Sequence, residues 1–171
     1  MLDSIEWDFF LGTEDENEEL IGLRGATDEE ISLAENTLNV RFPELFKEVL
    51  SRFQGWAPEC DDGWPVLKNG TEVGFRCFYH VIDPNKFTGE YASVGESNLV
   101  EKTLWLRESS DFLIGNRVVI ADNGGGDYFL LDYEDMKNGE PSVKLLDAEM
   151  EPDECYLPVA DSLGYFLKSL I

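Results

Sequence analysis

Apolar positions fall at helical spacing in several stretches of the chain and at strand spacing in others. Over residues 26–38, ATDEEISLAENTL, Ile31, Ala34 and Leu38 share one helical face. Thr27 with Glu30 three residues on forms a capping box, so the spacing predicts a helix over about 28–39. Residues 41–56, RFPELFKEVLSRFQGW, repeat the pattern through Leu45, Phe46, Val49, Leu50 and Phe53, with Pro43 suited to a first turn and Gly55 to a stop. The period then changes. In WPVLKNGTEVGFRCFYHVI, residues 64–82, Val73, Phe75, Cys77 and Tyr79 alternate with polar or small residues, and this predicts a half-buried strand. Asn69-Gly70 ahead of it is the preferred pair for a two-residue hairpin turn. Helical spacing returns in 96–109, ESNLVEKTLWLRES, through Val100, Leu104 and Trp105, with Ser97 as its cap. RVVIA at 117–121, YFLLDY at 128–133 and SVKLLD at 142–147 read as strands. The closing ADSLGYFLKSLI places Leu163, Phe166, Leu167 and Leu170 on one stripe of a last helix.

Composition adds size and sign. A chain of 171 residues, 43% apolar and 12% aromatic, has enough apolar side chains for one compact domain with a real core. Its 13 Lys and Arg face 36 Asp and Glu, a net charge of −23 that repels phosphates and anionic lipid and attracts basic surfaces. Nucleic acid and membrane are therefore not the expected partners, and a basic protein is. Asp3, Glu6 and Asp8 stand where a secretory signal would carry Lys or Arg, and no apolar run reaches bilayer length. Cys60, Cys77 and Cys155 are odd in number and widely spaced, which suits free thiols in a reducing compartment. The expected location is the cytoplasm, where Asn69-Gly70-Thr71 is turn chemistry and not a glycosylation acceptor. The acid block EDENEE at 14–19 marks residues 1–25 as a solvated acidic segment ahead of a domain over 26–171.

The candidate chemistry centres on ADNGGGDYFLLDY, residues 121–133. A phosphate loop needs Lys-Ser/Thr after its last glycine, and Asp127-Tyr128 stands there. A dinucleotide fingerprint from Gly124 would need a small residue at Phe129, and a calcium loop from Asp122 would need Glu where Tyr133 lies. A turn between two strands remains, with Asp122, Asn123 and Asp127 accepting backbone N–H bonds. Cys77 and His80, three apart on the expected strand, would project to opposite faces and so form no dyad. His80, the sole histidine, reads as a structural residue. Three scattered thiols give no zinc pattern, and no pair of carboxylates is singled out for acid–base work, so we assign neither metal, cofactor nor catalysis. In WAPECDDGW at 56–64 the two Trp read first as a lid on the core, with recognition as the alternative. Trp56 and Trp64 would anchor a partner, and Glu59, Asp61 and Asp62 would meet its Lys or Arg, with Asp127 and Tyr128 at the glycine turn as further contacts. DAEMEPDE at 147–154 is a second acidic stretch.

Several of these residues fall in a known order. Thr27-x-x-Glu30-Ile31 with Glu35, then Leu38-x-x-x-Phe42-Pro43-x-x-x-Lys47, Gln54-Gly55, and Ile120 through Gly125-Gly126-Asp127-Tyr128 to Leu131-Asp132 together resemble the SUKH superfamily. The likeness runs from about residue 26 to the end and is loose over 56–110. Phe42 replaces the small or aliphatic residue usual before the proline, and Gln54 the usual Asn. The resemblance implies an α+β fold with a mixed or largely antiparallel sheet flanked by helices, in agreement with the pattern above. It also implies a domain without chemistry of its own. Bacterial members resemble immunity proteins that neutralise a polymorphic toxin, often a nuclease, by binding and occluding it; the alternative is a regulatory interaction module, as in cell-wall or stress signalling, or a small-molecule site near the glycine turn.

Overall fold

The computed structural model describes residues 7–8, 24–55, 57–58, 67–89, 92–109, 113 and 115–170. In chain order the elements are β1 (Trp7–Asp8), α1 (Asp28–Leu38), α2 (Glu44–Phe53), β2 (Ala57–Pro58), β3 (Cys77–Phe78), the short α3 (Ala92–Gly95), α4 (Leu99–Ser109), β4 (Arg117–Asp122), β5 (Tyr128–Lys137), β6 (Glu140–Leu146), β7 (Tyr156–Ala160) and α5 (Leu163–Ser169). β3 to β7 form one antiparallel sheet in sequential order, and β1 pairs only with β2. The result is a single α+β domain.

Local chemistry explains the helices. Thr27 Oγ1 accepts the Glu30 N–H at 3.2 Å and the Glu30 carboxylate returns a bond to Thr27 N–H at 3.0 Å, so the capping box forms as the sequence predicts. Asn39 ends α1 in the left-handed region at φ 55°. Five residues later the chain enters α2, where the Pro43 carbonyl accepts the first helical N–H groups. Ile31, Ala34 and Leu38 of α1 and Phe46, Val49 and Leu50 of α2 are buried, and so are Leu163, Phe166, Leu167 and Leu170 at the close. Against the sheet, Phe75, Phe78, Phe129 and Phe166 stack edge-on or tilted with centroids 5.0–6.5 Å apart.

Both edges of the sheet are covered, which removes the open ladder an edge strand would offer. On the β7 side the Pro158 carbonyl accepts the Lys68 N–H at 3.3 Å. On the β3 side the Phe78 carbonyl accepts the Gly55 N–H and His80 N–H donates to Ser97.

The Asn69-Gly70 turn is present, closed by Gly70 N–H to Leu67 at 2.8 Å and Leu67 N–H to Thr71 at 2.8 Å, and the residues ahead of Leu67 that a hairpin would pair lie outside the described residues. Two sequence expectations need correction. The strand expected from Val73 to Tyr79 contracts to Cys77–Phe78, because residues 77–82 are buried without alternation between the end of α2, residues 94–99 and β4. Asn98, not Ser97, caps α4: its Oδ1 accepts the Glu101 N–H at 3.0 Å while its Nδ2 donates to Ile82. The buried stripe of that helix accordingly runs through Leu99, Thr103 and Leu106, and Trp105 is 56% exposed.

Candidate functional site

The polar residues that carried the family likeness turn out to be fasteners of the frame. Glu35, on the inner face of α1, accepts the Phe42 N–H at 2.7 Å and lies 3.0 Å from Arg41 and 3.5 Å from Lys47, so one carboxylate ties α1 to the start of α2. Gln54 is fully buried; its amide donates to the Arg24 carbonyl at 2.8 Å and accepts the Val81 N–H at 3.1 Å, joining three segments far apart in sequence. Asp132, also fully buried, is held between Arg117 at 3.2 Å and Lys144 at 2.9 Å. Gly25 packs so closely that an added Cβ would sit 1.6 Å from the Ser51 carbonyl oxygen, and no periodic signal in the sequence marks that constraint.

The glycine turn joins β4 to β5 as expected. Gly124 and Gly126 have φ of 76° and 109°, angles that a Cβ disfavours, whereas Gly125 does not. Asp122 Oδ1 accepts the Gly124 N–H at 2.8 Å, and Asn123 Oδ1 accepts those of Gly125 and Asp127 at 2.7 and 3.0 Å. Asp127 takes the Asn123 side-chain N–H at 2.8 Å and the Ala148 N–H at 3.4 Å, which brings the 147–154 stretch alongside the turn. A side-chain–backbone lattice of this kind fixes a turn and leaves no cradle of free N–H groups for phosphate.

Beside the turn lies a cleft of about 390 Å³ lined by residues that include Arg76, Cys77, Tyr79, His80, Lys102 and Tyr128. Arg76 grips Asp122 with two nitrogens, at 2.7 Å through Nε and 2.5 Å through Nη2, and the bonded carboxylate raises the guanidinium pKa further. Cys77 and His80 both line this cleft; the strand ends at Phe78, so the strict alternation that would have turned them to opposite faces stops before His80. Burial pushes the Cys77 thiol up to about 12, leaving it protonated at neutral pH, and raises Tyr79 as well. Burial also lowers the His80 pKa, so the ring is neutral at pH 7, with Nε2 2.8 Å from the Val94 carbonyl. That contact makes Nε2 the donor. Nδ1 lacks a partner in bonding geometry, although the Ile82 backbone lies close enough to favour the charged ring slightly.

Of the residues expected to meet a partner, Tyr128 lines this cleft and Asp127 precedes it in the turn, both half-buried. Trp56, Glu59, Asp61, Asp62 and Trp64 lie outside the described residues, as does the acid block at 14–19. The sequence reading missed the platform beside Tyr128. Lys102 Nζ sits over the Trp105 ring at 5.2 Å and the Tyr128 ring at 5.7 Å, which places all three side chains together. The signal for it was present as an aromatic residue out of step with the buried stripe of α4. Among the described residues no group of three or more His, Cys, Asp or Glu could hold a metal ion, and no helix is long and apolar enough to cross a membrane.

Fold and cleft together define an α+β domain whose buried ion pairs hold the frame and whose cleft holds a protonated thiol and a neutral imidazole. The chain belongs to the SMI1/KNR4 family (SUKH-1), whose model matches residues 25–169. That family fits a protein-interaction or immunity role and is in general non-catalytic. No curated protein matches the chain.

Proposed function

We propose that this protein is a non-enzymatic immunity protein of the cytoplasm, which neutralises a toxin by binding and occluding a basic surface of it. The observation that carries the reading is how the charge is distributed. Among the described residues, ten of the 13 Lys and Arg are engaged in ion pairs with carboxylates, so the outward field is set by the acids left over. A net charge of −23 steers a cationic partner into encounter and repels nucleic acid. A nuclease exposes cationic surface for its own phosphates, and such a surface is complementary to this exterior. The protonated Cys77 thiol of the cleft disfavours a nucleophilic role for it.

The test is co-expression with a secreted toxin encoded beside the gene. The reading expects growth to be restored and a 1:1 complex to elute at low ionic strength. Unrestored growth with no complex would refute it, and a gene with no toxin beside it would turn attention to the regulatory module.

A further inference from the structure

We propose that the end of the sheet bearing the glycine turn, with the Trp105 face of α4 beside it, is the surface on which a Lys- and Arg-rich face of a partner protein docks. The proposal rests on the binding function above and locates it.

The two ends of the sheet differ in how their acids are matched. At the end where β4 begins and β7 finishes, cations sit among the acids: Asp132 pairs with Arg117 and Lys144, Asp135 with Lys137 and Lys144, and Asp161 with Lys68, while Glu134 accepts the Asn116 N–H and Glu140 makes no ion pair among the described residues. The opposite end carries the β4–β5 turn and the β6–β7 connection, with Asp127, Asp147, Glu149, Glu151, Asp153 and Glu154. None of these six makes an ion pair among the described residues, and the last four are exposed. Six acids without a paired cation therefore share that end.

Charge alone would give steering without an anchor. The anchor is aromatic and adjoins the acids. Trp105 is 56% exposed, one of the few large apolar side chains so placed, and Lys102 bridges it to Tyr128. Tyr128 follows Asp127, which bonds the Ala148 backbone, so platform, turn and acidic connection form one continuous surface. Of the cations lining the neighbouring cleft, Arg76 is paired with Asp122, and Lys102 keeps its charge over the two rings as one cation among the six acids. A rigid tryptophan within a charged rim is the arrangement from which interface hot spots are drawn, and here the rim's sign selects a cationic occupant.

The experiment uses three variants of the full chain: Trp105→Ala; Glu149→Lys with Glu151→Lys and Asp153→Lys; and, as a control of equal charge change, Glu29→Lys with Glu44→Lys and Glu140→Lys. With the toxin of the preceding test, Trp105→Ala should weaken binding about tenfold or more, as loss of an anchor does. The loop triple should slow association about tenfold at low salt, and the control by less than threefold. If the toxin binds and both test variants match wild type within twofold, this surface is wrong while the function stands. If the toxin does not bind, the surface is tested alone by titrating a deca-arginine peptide and following amide and indole NMR resonances. Shifts at the Trp105 indole and at residues 123–128 and 147–154 support the proposal, and an unmoved Trp105 with shifts confined to other carboxylates overturns it.

Discussion

Glu35 shows how a charge can be a fastener. Its carboxylate is buried, yet it accepts the Phe42 N–H and faces Arg41 and Lys47, so its desolvation is offset by a hydrogen bond and two cations. Glu35→Ala leaves that N–H without its acceptor, while Lys47 keeps Glu44 at 2.9 Å, and we expect a loss of about 2 kcal/mol in denaturant unfolding. Glu30 supplies a pH signature. The Arg24 hydrogen bond, more than the Thr27 backbone bond or the charges of Arg24 and Lys86, lowers its pKa from 4.5 to about 2. A depressed carboxyl pKa contributes stability that is present above the unfolded value and is lost as pH falls through the folded one. Glu30→Gln should therefore be less stable than wild type above pH 4.5, with the difference closing as pH approaches 2. Acid titration of both proteins by circular dichroism checks this, and a gap independent of pH would contradict it.

Among the elements, those with strong periodicity were legible in the sequence. α1, α2 and α5 stand where the apolar stripes put them, and the capping box of α1 and the strands flanking the glycines are also present. β7 was not read, because Pro158 interrupts YLPVA; at the sheet edge its missing N–H is tolerated while its carbonyl takes Lys68. β5 and β6 extend to the Asn138-Gly139 turn, beyond the apolar cores that marked them, because ladder bonds there continue through polar residues. The short β3 was overread for the opposite reason: tertiary enclosure buried both faces of a segment that alternates in sequence. The glycine turn yields an element-level prediction. Gly124→Ala and Gly126→Ala should each cost about 1 kcal/mol, since both sit at positive φ in open surroundings. Gly125→Ala should cost a few tenths, because the only crowding is the Asn123 side chain at 3.3 Å. Equal losses at all three positions in thermal unfolding would show that the turn is set by something other than backbone angles.

For the whole molecule, the division between frame and surface is the main result. The polar residues by which the family is recognised in sequence are largely spent on the frame, Thr27 with Glu30 as a surface cap and Glu35, Gln54 and Asp132 inside, and so they report the fold more than the site. This is why family membership was legible while the proposed docking surface was not: Trp105, Tyr128 and the 147–154 acids lie apart in sequence and are brought together by Lys102, the β5–β6 pairing and the Asp127–Ala148 bond. On the proposed function, the excess of 23 negative charges would give that surface its selectivity by sign. Stopped-flow association with the proposed toxin partner across a salt series tests this most directly. The account predicts an association rate that falls about tenfold or more as ionic strength rises from tens to hundreds of millimolar, while dissociation changes little. An association rate that stays flat across the same series would contradict it.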